Sequence, residues 1–267
     1  MPRILILSSF VAIGHVGLSA GQPVCQMLGI NVTAVPTTVL SNHPGWPKFS
    51  QIAFQAQDIE AFAEALGSNG LLADHSAILI GYMPSVAHVD CAAALAARFR
   101  RNSPGTRIVV DPILGDHPKG LYMPENVAAA VRDKLLPLAD ALTPNHFELE
   151  WLSGRKCATL SDTKSAAREL GVAEVNVTSP PLGSGQTGVL SLDGDQAYTY
   201  TSPKYENVPH GVGDVFSAMI AANLSVGQAV GHVHAIAFAS QGKKHLEIVN
   251  AAPEWLSAKP IAPAELD

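Results

Sequence analysis

The sequence predicts an α/β fold of three layers, α/β/α, with helices on both faces of a mostly parallel central sheet and an antiparallel hairpin at one edge. Two observations carry that expectation. Short aliphatic or β-branched runs alternate with longer helical patterns along most of the chain, the signature of βαβ units. Near residue 190 the period changes: residues 187–192 and 196–201 alternate apolar and polar side chains around Asp193-Gly194. That is a hairpin signal, and an antiparallel pair on a parallel sheet takes its edge.

Residues 4–7 read as a buried strand and 17–28 as the helix that follows. A second strand is expected at 31–36, a helix at 58–66 and a strand at 77–80. Helix 86–100 has a wide alanine face, and strand 107–110 ends on Asp111. Then come helix 124–136, a short strand at 141–142, helix 146–152 and strand 174–177. After the hairpin, an apolar helix rich in alanine opens at Asp214. The tail from residue 251 is rich in proline and alanine and reads as loosely held. No repeat or linker divides the 267 residues, so one domain over 1–267 is expected.

With 47% hydrophobic and 15% charged residues, the chain is globular and not disordered. A net charge of −6 leaves no electrostatic footprint for nucleic acid. The basic run Arg98-Phe99-Arg100-Arg101 sits where a helix should end, and cations favour that end of the helix dipole. No apolar run reaches the roughly 20 residues of a membrane span. Residues 2–20 faintly resemble a signal peptide, but His15 and the glycine and serine interruptions break the apolar core. Cys25, Cys91 and Cys157 are far apart and never spaced C-x-x-C. That argues against a disulfide framework or zinc site and for a reducing cytoplasm. His232 and His234 stand two apart in an expected helix, so they face different ways and are no metal pair.

The segment with most chemistry is His210-Gly-Val-Gly-Asp214, at the mouth of the apolar helix. Glycines let backbone approach a ligand closely, and free N–H groups at a helix start face an anion. Asp214 beside them offers a general base for a hydroxyl being phosphorylated, with a pKa expected to be low because the dipole favours its anion. An ordinary N-cap aspartate is the competing reading. Asp111 and Asp116 pair across a loop with proline and glycine; they suit Mg²⁺ and phosphate, or an Asx-type turn. Thr143, Asn145 and Glu148 adjoin another strand end, where the residues alone read as a capping box with Thr143 or Asn145 as cap.

Several segments, in order along the chain, resemble the pyridoxal kinases, a branch of the ribokinase-like superfamily. They are Ser9-Phe-Val-Ala-Ile-Gly-His-Val-Gly17, Ser41-Asn-His43 with Gly45, Gly81-Tyr82, Asp111-Pro-Ile-Leu-Gly-Asp116, Gly120-Leu-Tyr-Met-Pro124, Leu142-Thr-Pro-Asn-His-Phe-Glu148 and Gly211-Val-Gly-Asp214. The resemblance implies a ribokinase-like fold and phosphorylation by ATP of the 5′-hydroxyl of a vitamin B6 aldehyde or alcohol. Mg²⁺, an optional monovalent cation and a homodimer come with it. It implies that Ser9, Thr37, His43 and Tyr82 contact the pyridine ring or its substituents, with Val16 as an apolar wall. His43 reads equally as a loop histidine that stabilises a turn. On the nucleotide side the resemblance implies Asp111, Asp116, Tyr122, Thr143, Asn145, Glu148, Thr178 and Ser179, with Asp111, Asp116 and Glu148 also serving the metal. Gly211, Val212, Gly213 and Asp214 form the implied catalytic loop.

The chain also departs from the pattern. Leu18 stands where the family often has Asn, Val212 replaces the usual Thr of the anion loop, and Pro180-Pro181 stiffens the loop expected to cover adenine. Three other readings stay open. One is a kinase of the same fold acting on hydroxymethylpyrimidine or a sugar. Another is a weakly active B6- or nucleotide-binding protein, which Val212 keeps alive. The third is a dinucleotide enzyme, though Gly14, Gly17 and Gly21 lack the G-x-G-x-x-G spacing.

Overall fold

The structure is a computed structural model that describes residues 2–266. Its first half alternates strand and helix: β1 (Arg3–Val11), α1 (Leu18–Met27), β2 (Asn31–Leu40), a short β3 (Gln51–Ala53), α2 (Ala56–Ser68), β4 (His75–Ile80), α3 (Val86–Asn102) and β5 (Arg107–Val110). A small hairpin follows, β6 (Gly115–Asp116) with β7 (Gly120–Leu121), then α4 (Glu125–Ala130), β8 (Ala141–Leu142), α5 (His146–Ser153), α6 (Leu160–Glu169) and β9 (Glu174–Thr178). The long hairpin of β10 (Gln186–Asp193) and β11 (Gln196–Pro203) leads into α7 (Val212–Ala221), α8 (Val226–Ala239), α9 (Ala252–Leu256) and β12 (Ala264–Glu265).

Ten strands form one sheet, ordered β12-β11-β10-β9-β8-β5-β4-β1-β2-β3. From β9 to β2 the pairings are parallel. The β10–β11 hairpin, β12 and β3 pair antiparallel. The mostly parallel sheet is therefore as expected, but the hairpin lies one strand in, because β12 covers its outer edge. Strands buried on both faces read as continuous apolar runs, and β1 shows why. Leu5 and Leu7 enter one core with Val89, Phe99 and Leu149. Ile4 and Ile6 enter the other with Val24, Phe216 and Ile236. Helices α2 to α6 cover the first face and α1, α7, α8 and α9 the second.

Several local expectations change. β2 continues through Pro36 to Leu40, because Pro36 pairs with Ser8 where the β1–β2 register shifts and its missing N–H is tolerated. The single helix expected over 124–136 is α4, one wider π turn at Val131–Leu135 and a 3₁₀ turn at Leu136–Leu138. The tail is not loose. Trp255 is fully buried and its indole N–H donates to the Ile248 carbonyl at 2.8 Å. The Leu266 N–H donates to the Ala197 carbonyl at 2.9 Å, extending the sheet. One buried tryptophan and a strand pairing outweigh the local proline content. Among the described residues no helix is long and apolar enough to cross a membrane, and the three cysteines are buried and free.

Candidate active site

In open α/β sheets the ligand crevice lies beyond the carboxyl ends of the parallel strands, and the predicted site residues collect there. Ser9 is near the end of β1, Tyr82 follows β4, Asp111 follows β5, Thr143 follows β8 and Thr178 ends β9. The Asp111 N–H donates to the Ile80 carbonyl and the Thr143 N–H to the Val110 carbonyl, so these side chains project directly past the sheet. Asp111 and Asp214 line one narrow cleft with Ser8, Gly17, Gly81 and Ile113.

The loop that opens α7 is fixed by backbone sterics. Gly211, the N-cap of α7, has φ of 111°, and a Cβ there would collide with the His15 carbonyl. Gly17 has φ of 54°, and a Cβ there would strike the Ser9 carbonyl. Only glycine fits either position. The two loops thus close on one another, and the Asp214 carboxylate accepts the Gly17 N–H as well as its own. Burial nevertheless pushes Asp214 up to about 6. This corrects the expectation of a low pKa: desolvation outweighs the dipole and both hydrogen bonds.

Three more carboxylates, Asp111, Asp116 and Glu148, crowd together nearby. Asp111 is raised well above the usual carboxylate range, first by burial and then by Glu148 and Asp214. Glu148 is pushed to about 7 by burial, against three backbone N–H donors, with Asp116 adding to the rise. The Tyr122 hydroxyl is pushed up to about 12 by burial, Asp116 and Glu148. The capping-box reading holds for Asn145 and Glu148, which bond reciprocally at the start of α5. Glu148 also accepts the Leu114 N–H at 2.8 Å, and Asn145 Nδ2 donates to the Gly115 carbonyl at 2.8 Å, clamping the Asp111 loop. Thr143 is not the cap; its hydroxyl meets Ser217 Oγ at 2.8 Å. Thr178 donates its N–H to the Pro144 carbonyl at 2.8 Å. Two residues of this rim are strained, with Ile113 at φ 44° and Ser179 at φ 51°, and such strain clusters at functional sites.

On the opposite side, Thr37 is fully buried and its hydroxyl donates to the Tyr82 carbonyl at 2.8 Å, joining two predicted substrate residues. His43 does stabilise a turn: its Nδ1 accepts the Gly45 N–H at 3.0 Å. Its ring also stacks on His210 at 4.3 Å, tying that turn to the loop that precedes α7. Burial, then His210 and Lys119, lowers His43 to about 4. Val16 and His43 line a cavity of about 210 Å³ that reaches His210. Ser217 and Ser8 had no sequence signal of their own, and His210 and Ile113 stood in the motif segments without a role. His232 and His234 do point apart, to the Trp255 carbonyl and to the Tyr205 hydroxyl.

A family model described as phosphomethylpyrimidine kinase matches residues 24–245. The chain is 37% identical over 236 residues to the pyridoxine/pyridoxal/pyridoxamine kinase of Bordetella bronchiseptica, covering 85% of this chain and 82% of that one. The chain belongs to the pyridoxal kinase family. Over 276 residues it is 31% identical to the pyridoxal kinase of Rubrobacter xylanophilus, covering 97% and 95% of the two chains. The pyridoxal kinase of Leishmania donovani, solved with ADP and pyridoxamine, superposes with a TM-score of 0.93 over 100% of both chains at 27% identity. As a member of the pyridoxal kinase family, the protein is a phosphotransferase with a ribokinase-like fold.

Proposed function

We propose that this protein transfers the γ-phosphate of ATP to the 5′-hydroxyl of pyridoxal, and of related B6 vitamers, in vitamin B6 salvage. The observation that carries the reading is Asp214 beside the Gly211–Gly213 backbone, in one cleft with Asp111. Asp214 orients the substrate hydroxyl and accepts its proton. The free N–H groups that open α7 face the transferred phosphoryl group, where charge develops. Thr143, Asn145, Thr178 and Ser179 flank the phosphates, Asp116 and Tyr122 stand on the same side, and Ser9, Val16, Thr37, His43 and Tyr82 surround the ring. A pKa near 6 makes Asp214 a usable base at neutral pH, better poised than an ordinary surface aspartate.

Mg²⁺ fits the donor set. Among the described residues no three His, Cys, Asp or Glu side chains form a complete cage, and Mg²⁺ bound by one or two carboxylates plus phosphates needs none. Asp111, Asp116 and Glu148 would hold it directly or through water. When bound, it would offset phosphate charge and the mutual repulsion that now raises Asp111. We further propose one kinase domain, a homodimer and a cytoplasmic setting, which the free cysteines suit.

The test is ADP release with pyridoxal, pyridoxine, pyridoxamine and hydroxymethylpyrimidine as acceptors, with Asp214→Asn alongside. Turnover of the B6 vitamers is expected. Asp214→Asn should lose about 10²- to 10⁴-fold in kcat while still binding pyridoxal. Turnover of hydroxymethylpyrimidine alone would move the protein to the neighbouring branch, and unchanged kcat in Asp214→Asn would reduce Asp214 to a helix cap.

A further inference from the structure

We propose that the cavity of about 210 Å³ beside the catalytic loop receives the ring-4 substituent of the B6 substrate, and that Lys243 and Lys244 there disfavour an aminomethyl group. Aldehyde and alcohol vitamers would then be preferred over pyridoxamine. The inference rests on the kinase reading above and deepens it to a choice among substrates.

Placement comes first. The 5′-hydroxyl must reach Asp214, and on the pyridine ring the 4-substituent is its immediate neighbour. The ring position on the other side carries only hydrogen. His210 directly precedes Gly211, and the His15 carbonyl packs against Gly211. Both residues line the cavity, as do Val16 and His43. The cavity thus abuts the loop that carries Asp214, separate from the narrow cleft Asp214 lines, and the group next to the 5′-carbon is assigned to this space.

The wall chemistry sets the preference. Its titratable members are His15, His43, His210, His245, Lys243 and Lys244, and no carboxylate lines it among the described residues. Burial holds His15, His43 and His210 below the usual histidine range. At neutral pH these rings are uncharged and offer one donor and one acceptor each, which suits a carbonyl or hydroxyl. The acids the rings feel stand outside the wall: Glu247 near His15 and Asp116 near His210.

The fixed charges on the wall itself are thus those of the two lysines, and Lys119, which both His43 and His210 feel, adds a further cation outside it. Lys243 and Lys244 are both exposed, and neither forms an ion pair among the described residues. A primary amine carries a proton at neutral pH, so the aminomethyl group of pyridoxamine would bring a further positive charge beside these lysines. Charges on exposed side chains discriminate modestly, by about tenfold, and salt screens them.

The experiment compares kcat/KM and binding for pyridoxal, pyridoxine and pyridoxamine, at low and high salt, in the wild type and in the double variant Lys243→Glu with Lys244→Glu. The wild type should favour pyridoxal and pyridoxine over pyridoxamine by about tenfold at low salt, with the gap narrowing at high salt. The double variant should close or invert it. The milder pair Lys243→Gln with Lys244→Gln, which adds no negative charge, should close it partly. Equal use of pyridoxamine by the wild type overturns the proposal, as does a vitamer ratio that neither double variant moves. Absence of both binding and turnover for every vitamer would instead overturn the kinase reading, and this proposal with it.

Discussion

Ser217 Oγ donates to Asp111 Oδ2 at 2.7 Å, bridging helix α7 to the end of strand β5. Ser217 is one turn beyond Asp214, and its hydroxyl also meets Thr143 Oγ1 and the Gly213 carbonyl. One buried hydroxyl therefore links the helix that carries Asp214 to Asp111 and Thr143 at two strand ends. Ser217→Ala should cost about 1–3 kcal/mol, because it leaves buried polar groups short of a partner. It should also raise KM for Mg-ATP more than KM for pyridoxal. Thermal melts and steady-state kinetics check this. A variant with wild-type Tm would mean that the hydroxyl is dispensable to the network.

This bridge also shows where the sequence stops being informative. Asp111, Tyr82 and Thr178 were legible because each follows or ends a recognisable strand, and strand ends in this architecture face the crevice. Ser217 was not, because a serine among apolar helix residues reads as a small filler. Its contact spans 106 residues and exists only once α7 packs under β5. The β6–β7 hairpin has two residues per strand, too few for periodicity to register. Helix α6 did carry signals, the Thr159-x-x-Asp162 capping box and a buried face of Thr163, Ala166 and Ala167, but that face is made of small side chains in an otherwise polar segment. The raised pKa of Asp214 needed burial, which no local pattern reveals.

That burial gives a pH profile with a definite sign. A carboxyl raised to about 6 is protonated below that value and has no lone pair free for the substrate proton. kcat should therefore hold above pH 7 and fall as pH drops through about 6, approaching about tenfold per unit. A rate that stays flat down to pH 5 would mean that Asp214 is not the titrating base.

Glu148 gives a stability test of opposite kind to the usual carboxylate. Its folded pKa of about 7 lies above the ordinary 4.5. Its contribution is fully present below about pH 4.5 and is lost as pH rises through about 7, because the folded state holds its proton longer. Glu148→Gln cannot ionise and keeps an oxygen for one of the backbone donors. The variant should be less stable than the wild type at pH 5 and close the difference by pH 8. Melting both proteins across that range checks it. A Tm difference that does not vary with pH would show that Glu148 does not titrate there.

Val212 is the first residue of α7, half-buried, and packed at the edge of the apolar cluster that holds Phe216. The exposed part of the site favours a hydroxyl and the packed part resists one. Threonine keeps the branched shape, so the question is whether its added oxygen finds a partner. The backbone N–H groups here point to where a phosphate oxygen would lie, and a hydrogen bond to a charged group contributes about 1.5–3 kcal/mol. Part of that is offset by desolvation against the apolar cluster, so Val212→Thr should raise kcat/KM for ATP by about three- to tenfold. Because one face is already exposed, Tm should change by no more than about 3 °C. A larger fall in Tm with no kinetic gain would assign the side chain of residue 212 to the core. The anion loop would then work through its backbone alone.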